Sequence, residues 1–147
     1  MIRVANIHDV DKIVEMCKRF YHTTEYIKFA PYDEPSIRLL TQFLMEKGVV
    51  LVASLRGELV GVAGLILTPY MFNNNIIGAH EVVWWVEPEA QGMGVGKELL
   101  LAIEPECKSR GATIVQMVHL SNSPPQAAGL YLKLGFDHSE CCFTKVV

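Results

Sequence analysis

The stretch Val86-Glu87-Pro88-Glu89-Ala90-Gln91-Gly92-Met93-Gly94-Val95-Gly96-Lys97, between a β-rich run and a helical pattern, holds the densest chemistry in the chain. Its alternate glycines at 92, 94 and 96 let the main chain pass close to a ligand. A helix opening there aims unpaired N–H groups and the positive end of its dipole outward. Such an anion cradle suits a phosphate or pyrophosphate, with Lys97 nearby as a screened counter-charge. Spacing excludes two familiar phosphate loops. A Walker A loop requires Gly at 91 and Ser or Thr at 98, where the chain has Gln91 and Glu98. The dinucleotide fingerprint, started at Gly92 or Gly94, requires Gly at 97 or 99 and meets Lys97 or Leu99. By themselves the glycines also fit a tight turn into the helix that binds nothing.

The elements that must position this loop follow from periodicity. Ile2 to Ala5 reads as a short strand, and Asn6 to Asp9 supplies caps for a helix patterned by Ile7, Val10, Ile13, Val14, Cys17 and Phe20. Tyr21 to Pro35 is aromatic and aperiodic, an irregular segment of the kind that covers ligands or is simply pinned to the surface. A second helix runs from Pro35 until Gly48 stops it. Three antiparallel strands, Val49 to Ala53, Glu58 to Leu67 and Ala79 to Val86, follow as a meander with turns at Arg56-Gly57 and Pro69 to Asn75. The order then becomes helix (Gly94 to about Ser109), strand (Thr113 to Leu120), helix (Pro125 to Leu134) and strand (Phe136 to Val146). Gly111 and Gly135 serve as left-handed caps, and Pro105 is expected to kink or end its helix. The fold class is α+β with a mixed sheet.

Composition narrows the function classes. The chain of 147 residues is half hydrophobic and a fifth charged, which suits one domain over 1–147. Thirteen Lys and Arg against sixteen Asp and Glu give a formal charge of −3, which excludes general nucleic-acid binding. Cys17, Cys107, Cys141 and Cys142 lack the spacing of a zinc site, so no metal is expected. Cys141-Cys142 reads as small apolar strand residues, with a redox-active pair as the alternative. Apolar runs such as Val82 to Val86 fall far short of the roughly 20 residues needed to span a bilayer, so no membrane segment is expected. A reduced, cytoplasmic chain is the expectation.

Gln91-x-x-Gly94-x-Gly96 after a strand resembles the R/Q-x-x-G-x-G/A signature of the GNAT N-acetyltransferase superfamily. Met1-Ile2-Arg3-Val4-Ala5 with Asp9 and Asp11 is similar to that family's opening strand and first helix. Ala127 to Phe136, A-A-G-L-Y-L-K-L-G-F, is similar to its C-terminal motif. The resemblance implies a mostly antiparallel sheet flanked by helices, with two splayed strands forming a cleft for acetyl-coenzyme A. Those strands are Ala79 to Val86 and Thr113 to Leu120. Trp85 and Val86 are then expected to meet the pantetheine arm, and the amides of Gln91, Gly92, Met93, Gly94, Val95, Gly96 and Lys97 the pyrophosphate. Trp84 and Trp85 point to opposite faces, so at most one shapes the cleft. The family commonly places an Asn seven residues before its motif tyrosine. Pro124 stands there, and Asn122 is the nearest candidate for that coenzyme contact, or else a turn former.

Acetyl transfer to a primary amine needs help with a proton, because an amine of pKa about 10.4 is less than about 0.1% neutral at pH 7. Glu81 is the first candidate for the base, as the only carboxylate in the apolar run lining the implied cleft. Burial there would raise its pKa, whereas a strand-edge Glu facing water would do nothing. His80 and then His119 follow as weaker candidates. Tyr131 occupies the tyrosine of the C-terminal motif, whose phenol can protonate the departing thiolate; a packing tyrosine is the alternative. The implied partners are acetyl-coenzyme A and an amine acceptor, small molecule or protein, with a homodimer left open. Asp33 and Glu34 near the aromatic segment would tolerate a cationic acceptor, a polyamine or an aminoglycoside among them. Acceptor contacts are expected from Tyr21 to Pro35 and Tyr70 to Asn75. A non-catalytic acyl-coenzyme-A-binding module is the competing function.

Overall fold

A computed structural model describes residues 1–147. Strand β1 (Ile2–Val4) leads into a 3-10 turn, Ile7–Asp9, and helix α1 (Val10–Thr23). The Asn6 side chain accepts from the His8 N–H at 3.0 Å, and the Asp9 carboxylate accepts from the Asn6 N–H at 2.7 Å, so both ends of the capping box close. Ile7 was expected on the helix's apolar face, but it lies in the 3-10 turn and is exposed. Helix α2 (Glu34–Lys47) starts from Asp33, whose side chain accepts from the Ser36 N–H, with Pro35 in the first turn where its missing N–H costs nothing.

Strands β2 (Val49–Leu55), β3 (Glu58–Tyr70) and β4 (Asn73–Val86) form the meander, helix α3 (Val95–Ser109) leads to β5 (Ile114–Gln116), and helix α4 (Pro125–Lys133) comes last. The open sheet has the order β1-β2-β3-β4-β5, antiparallel except for the parallel pair β4 and β5. Arg56 and Gly57, at φ 53° and 87°, make the β2–β3 turn, a backbone that matches strand twist. The second turn is much tighter than expected. Pro69 to Asn75 lies mostly inside the strands, because a register irregularity at Pro69/Tyr70 accommodates a residue with no N–H to give the ladder.

Side chains of β2 alternate between two cores. Val49, Leu51 and Ala53 pack with Leu99, Ile103 and Tyr131 under α3 and α4, while Val50 and Val52 pack with Ile13, Met16 and Leu44 under α1 and α2. Helix α3 continues through Pro105 to Ser109 rather than ending there. Pro105 is exposed, as is Leu101, whose carbonyl loses its partner on the water side.

Two further expectations are corrected. The sixth expected strand, Phe136 to Val146, does not form, and Thr113 to Leu120 shortens to the three residues of β5. Phe143 and Val146 are exposed, so a strand there would have no face to bury, and Cys141 and Cys142 are exposed thiols outside any strand. No helix is long and apolar enough to cross a membrane.

Candidate active site

Strands β4 and β5 pair only across Gly78–Ile114, Ala79–Val115 and His80–Gln116. Beyond that point β4 continues to Val86 while the chain after Gln116 leaves the sheet, so the two diverge. Glu81 is the first residue past the last pair, and its carboxylate accepts from the Val118 N–H at 2.9 Å in place of a ladder bond. The phenol of Tyr131 donates to the Val118 carbonyl at 3.1 Å. The two candidate catalytic side chains are thus tied to the two backbone groups of one residue at the fork.

A bulge sets Glu81 there. Gly64 faces Val83 and Leu65 faces Glu81, which leaves Val82 as an extra residue in β4. The insertion reverses the alternation: Ala79 packs under α3 and α4, but so do Trp84 and Val86, while Val83 and Trp85 face α1 and α2. Trp84 and Trp85 accordingly lie on opposite faces, Trp84 against Tyr131 with ring centroids 5.4 Å apart and Trp85 against Phe20 at 6.2 Å. Burial pushes the Glu81 carboxyl up to about 7, with the Val118 N–H pulling the other way. Burial, and secondarily the Glu81 charge, raise the Tyr131 phenol, so its proton stays on.

Local chemistry holds Tyr131 in place. Gly135 at φ 86° closes α4 with the Phe136 N–H bonded to the Tyr131 carbonyl and the Gly135 N–H to the Leu132 carbonyl, both 3.1 Å, the six-to-one and five-to-two bonds of a Schellman cap. The apolar contact that accompanies such caps is Tyr131 against Phe136, centroids 5.7 Å apart.

Gly92 and Gly94 adopt φ 78° and 86°, and a Cβ on either would meet nothing within 4 Å, so the loop is bare main chain facing open space. The first intrahelical bond at the start of α3 runs from the Glu98 N–H to the Gly94 carbonyl at 3.0 Å, which leaves the amides of Val95, Gly96 and Lys97 to donate outward. Val95 is buried and anchors the turn, while Gln91, Met93 and Lys97 are exposed. The Gln91 side chain donates to the Val86 carbonyl at 2.9 Å, bracing the loop against the end of β4.

Several participants had no signal in the sequence. Glu87, 3% exposed, takes both carboxylate oxygens to Arg19 of α1, with contacts of 2.6 to 3.1 Å, and Trp85 Nε1 donates to it at 3.3 Å. That ion pair pins the first residue of the loop, yet its partners lie 68 positions apart. Val118 contributes only backbone, and the Val82 bulge depends on strand register; neither leaves a mark on composition or periodicity. Nε1 of Trp84 is buried with no partner in the chain, and its ring lies 3.4 Å from where a Gly96 Cβ would sit. Other candidates are engaged elsewhere. His80 Nδ1 meets Gln116 Oε1 at 2.7 Å, His119 Nε2 meets the Pro124 carbonyl at 3.3 Å, and the Asn122 amide donates to the Thr23 carbonyl at the end of α1.

Residues 10–136 match the model of the Acetyltransferase (GNAT) family. The chain is 36% identical over 90 residues to mycothiol acetyltransferase of Paenarthrobacter aurescens (strain TC1), an alignment covering 61% of this chain and 27% of that protein. The chain therefore aligns with about a quarter of that relative's length. Among solved structures, a predicted acetyltransferase with acetyl-CoA from Clostridium acetobutylicum superposes with a TM-score of 0.75 at 17% identity, covering 99% of this chain and 94% of that one. A Trypanosoma brucei acetyltransferase superposes with a TM-score of 0.71 at 22% identity, covering 100% and 99%. At these identities the likeness is one of fold.

Proposed function

Because the chain belongs to the GNAT acetyltransferase family, we propose that it transfers an acetyl group from acetyl-coenzyme A to a primary amine by direct attack in a ternary complex. The observation that carries this reading is the fork between β4 and β5, where Glu81 and Tyr131 are held on either side of Val118. The residues present fit the coenzyme. Bare amides from Gly94 to Lys97 suit its diphosphate, and the unpartnered Trp84 N–H beside Gly96 offers one more donor in the same cleft. Trp85 and Val86 lie along the stretch of β4 that β5 leaves unpaired, where a pantetheine arm could add as a strand would.

When bound, the coenzyme supplies an activated acetyl thioester. Glu81, titrating near 7, takes the proton from the acceptor ammonium, a pKa matched to a base at neutral pH. Burial keeps the proton on Tyr131, and its hydroxyl, which donates to the Val118 carbonyl at the fork, would supply that proton to the departing thiolate. Arg19 and Glu87 hold the loop, and its register against β4, without touching the reacting atoms. Calorimetry with acetyl-coenzyme A, followed by thiol release on a panel of amines, tests the reading. Binding with turnover is expected; binding without turnover on any amine would leave the acyl-coenzyme-A-binding module instead.

A further inference from the structure

Trp84 Nε1 is the one buried side-chain nitrogen or oxygen with no hydrogen-bond partner in the chain. An indole N–H buried without an acceptor destabilises the fold that holds it, so its presence calls for a use. Its neighbour shows the contrast. Trp85, on the opposite face of the sheet, has Nε1 bonded to Glu87 at 3.3 Å. Trp84 lies on the α3/α4 face, in the stretch of β4 that β5 leaves unpaired. Its Cζ2 and Cε2, the latter bonded to Nε1, lie 3.4 and 3.9 Å from where a Gly96 Cβ would sit. The edge of the ring that carries the N–H is therefore the edge beside the first turn of α3. The ring also packs against Tyr131, with centroids 5.4 Å apart and planes tilted by 41°. One side chain thus bridges the glycine loop and the phenol at the fork, the span that a ligand held at both places has to cross.

We propose that Trp84 is a coenzyme-binding residue whose indole N–H donates to an amide carbonyl of the pantetheine arm. The main-chain amides of Val95, Gly96 and Lys97 suit the diphosphate. Further along, toward Tyr131, the arm offers neutral amides, and a neutral donor-only indole is matched to their carbonyl oxygens. Nε1 is covered in the free chain, but the residue as a whole is partly exposed. The broad terminal torsion of an indole lets a small turn of the ring bring the N–H into the cleft. The unpaired donor costs the free fold and is relieved in the bound one, so free-protein stability and coenzyme affinity oppose each other at this residue. The identity of the ligand rests on the acetyl-transfer reading; the unpaired donor and its place between α3 and Tyr131 do not.

The test begins with nitrogen–proton correlation spectra of the full, isotope-labelled chain, in which through-bond assignment identifies the indole signals of Trp84 and Trp85. Saturating coenzyme A, which binds without turnover, is expected to move the Trp84 signal downfield, the sense of a new hydrogen bond. Saturating ADP, which has the diphosphate and no pantetheine, is expected to leave it in place. The second arm is the variant Trp84→benzothienylalanine, which keeps the size of the ring and exchanges only the N–H for sulfur. Its affinity for coenzyme A by calorimetry is expected to fall about tenfold, while the urea midpoint of the free protein rises. A tryptophan that only packs would leave affinity unchanged, or lose stability and affinity together. With coenzyme A bound, an unmoved Trp84 signal, an equal shift with ADP, undiminished affinity in the variant, or a lowered midpoint overturns the proposal and leaves acetyl transfer standing. A parent protein that binds no coenzyme A overturns the acetyl-transfer reading itself, and this proposal with it.

Discussion

Replacing Glu81 by Gln should make the protein more stable and far less active, a combination no loss of a structural carboxylate would produce. Burial lifts the carboxyl from an ordinary 4.5 to about 7, so the folded chain holds a proton there that the unfolded chain has released. Between these two values the native state binds more protons than the unfolded one, and stability falls as pH rises. At about 1.4 kcal/mol per pH unit the full effect is about 3.5 kcal/mol, and partial solvent contact brings it to about 2 kcal/mol. The amide is isosteric, can still accept from the Val118 N–H, and carries no charge to desolvate. Urea unfolding of both proteins from pH 4 to pH 8 reads the difference. The curves should coincide below pH 4.5 and separate progressively to about pH 7, the Gln variant ending higher. In parallel, kcat/KM of the parent should climb with pH to a midpoint near 7, and the variant should lose this limb along with on the order of 10²-fold in kcat. Parallel stability curves would refute burial as the cause of the shift, and full activity in the variant would remove Glu81 as the base.

Other changes test the remaining parts. Tyr131→Phe removes the bond to the Val118 carbonyl, which should cost about 1 kcal/mol in stability and on the order of 10²-fold in kcat, with acetyl-coenzyme A affinity changed little, as single-turnover and binding measurements would report. Gly94→Val forces a β-branched residue to φ 86° in otherwise open space; about 1–2 kcal/mol of stability and most of the coenzyme affinity should go, and calorimetry showing unchanged affinity would count against the diphosphate loop. Glu87→Gln weakens the anchor from α1; because Arg19 is 44% exposed, the loss in thermal unfolding should be about 1–2 kcal/mol, with KM for acetyl-coenzyme A rising more than kcat falls.

The glycine loop was legible because its chemistry is local: three alternate glycines before a helical pattern prescribe backbone, and Gly92 and Gly94 take the left-handed conformation that only glycine adopts cheaply. The caps at Gly111 and Gly135, both at φ 86°, are local in the same sense. The strands after β4 were not legible. Thr113 to Leu120 and Phe136 to Val146 have strand-like composition, but a strand also needs an edge to pair with, and β5 finds one for only three residues.

Residue type and spacing along the chain therefore determined the family motifs, the helices, the meander and the identity of Glu81 and Tyr131 as candidates. Only the folded chain decided that Val82 is bulged, that Val118 joins Glu81 to Tyr131, that Glu87 locks onto Arg19, and that Asn122 turns to Thr23. The division has one cause. Caps, turns and periodicity depend on neighbours within a few residues, whereas register, burial and the pKa that follows from it depend on segments brought together from tens of positions away.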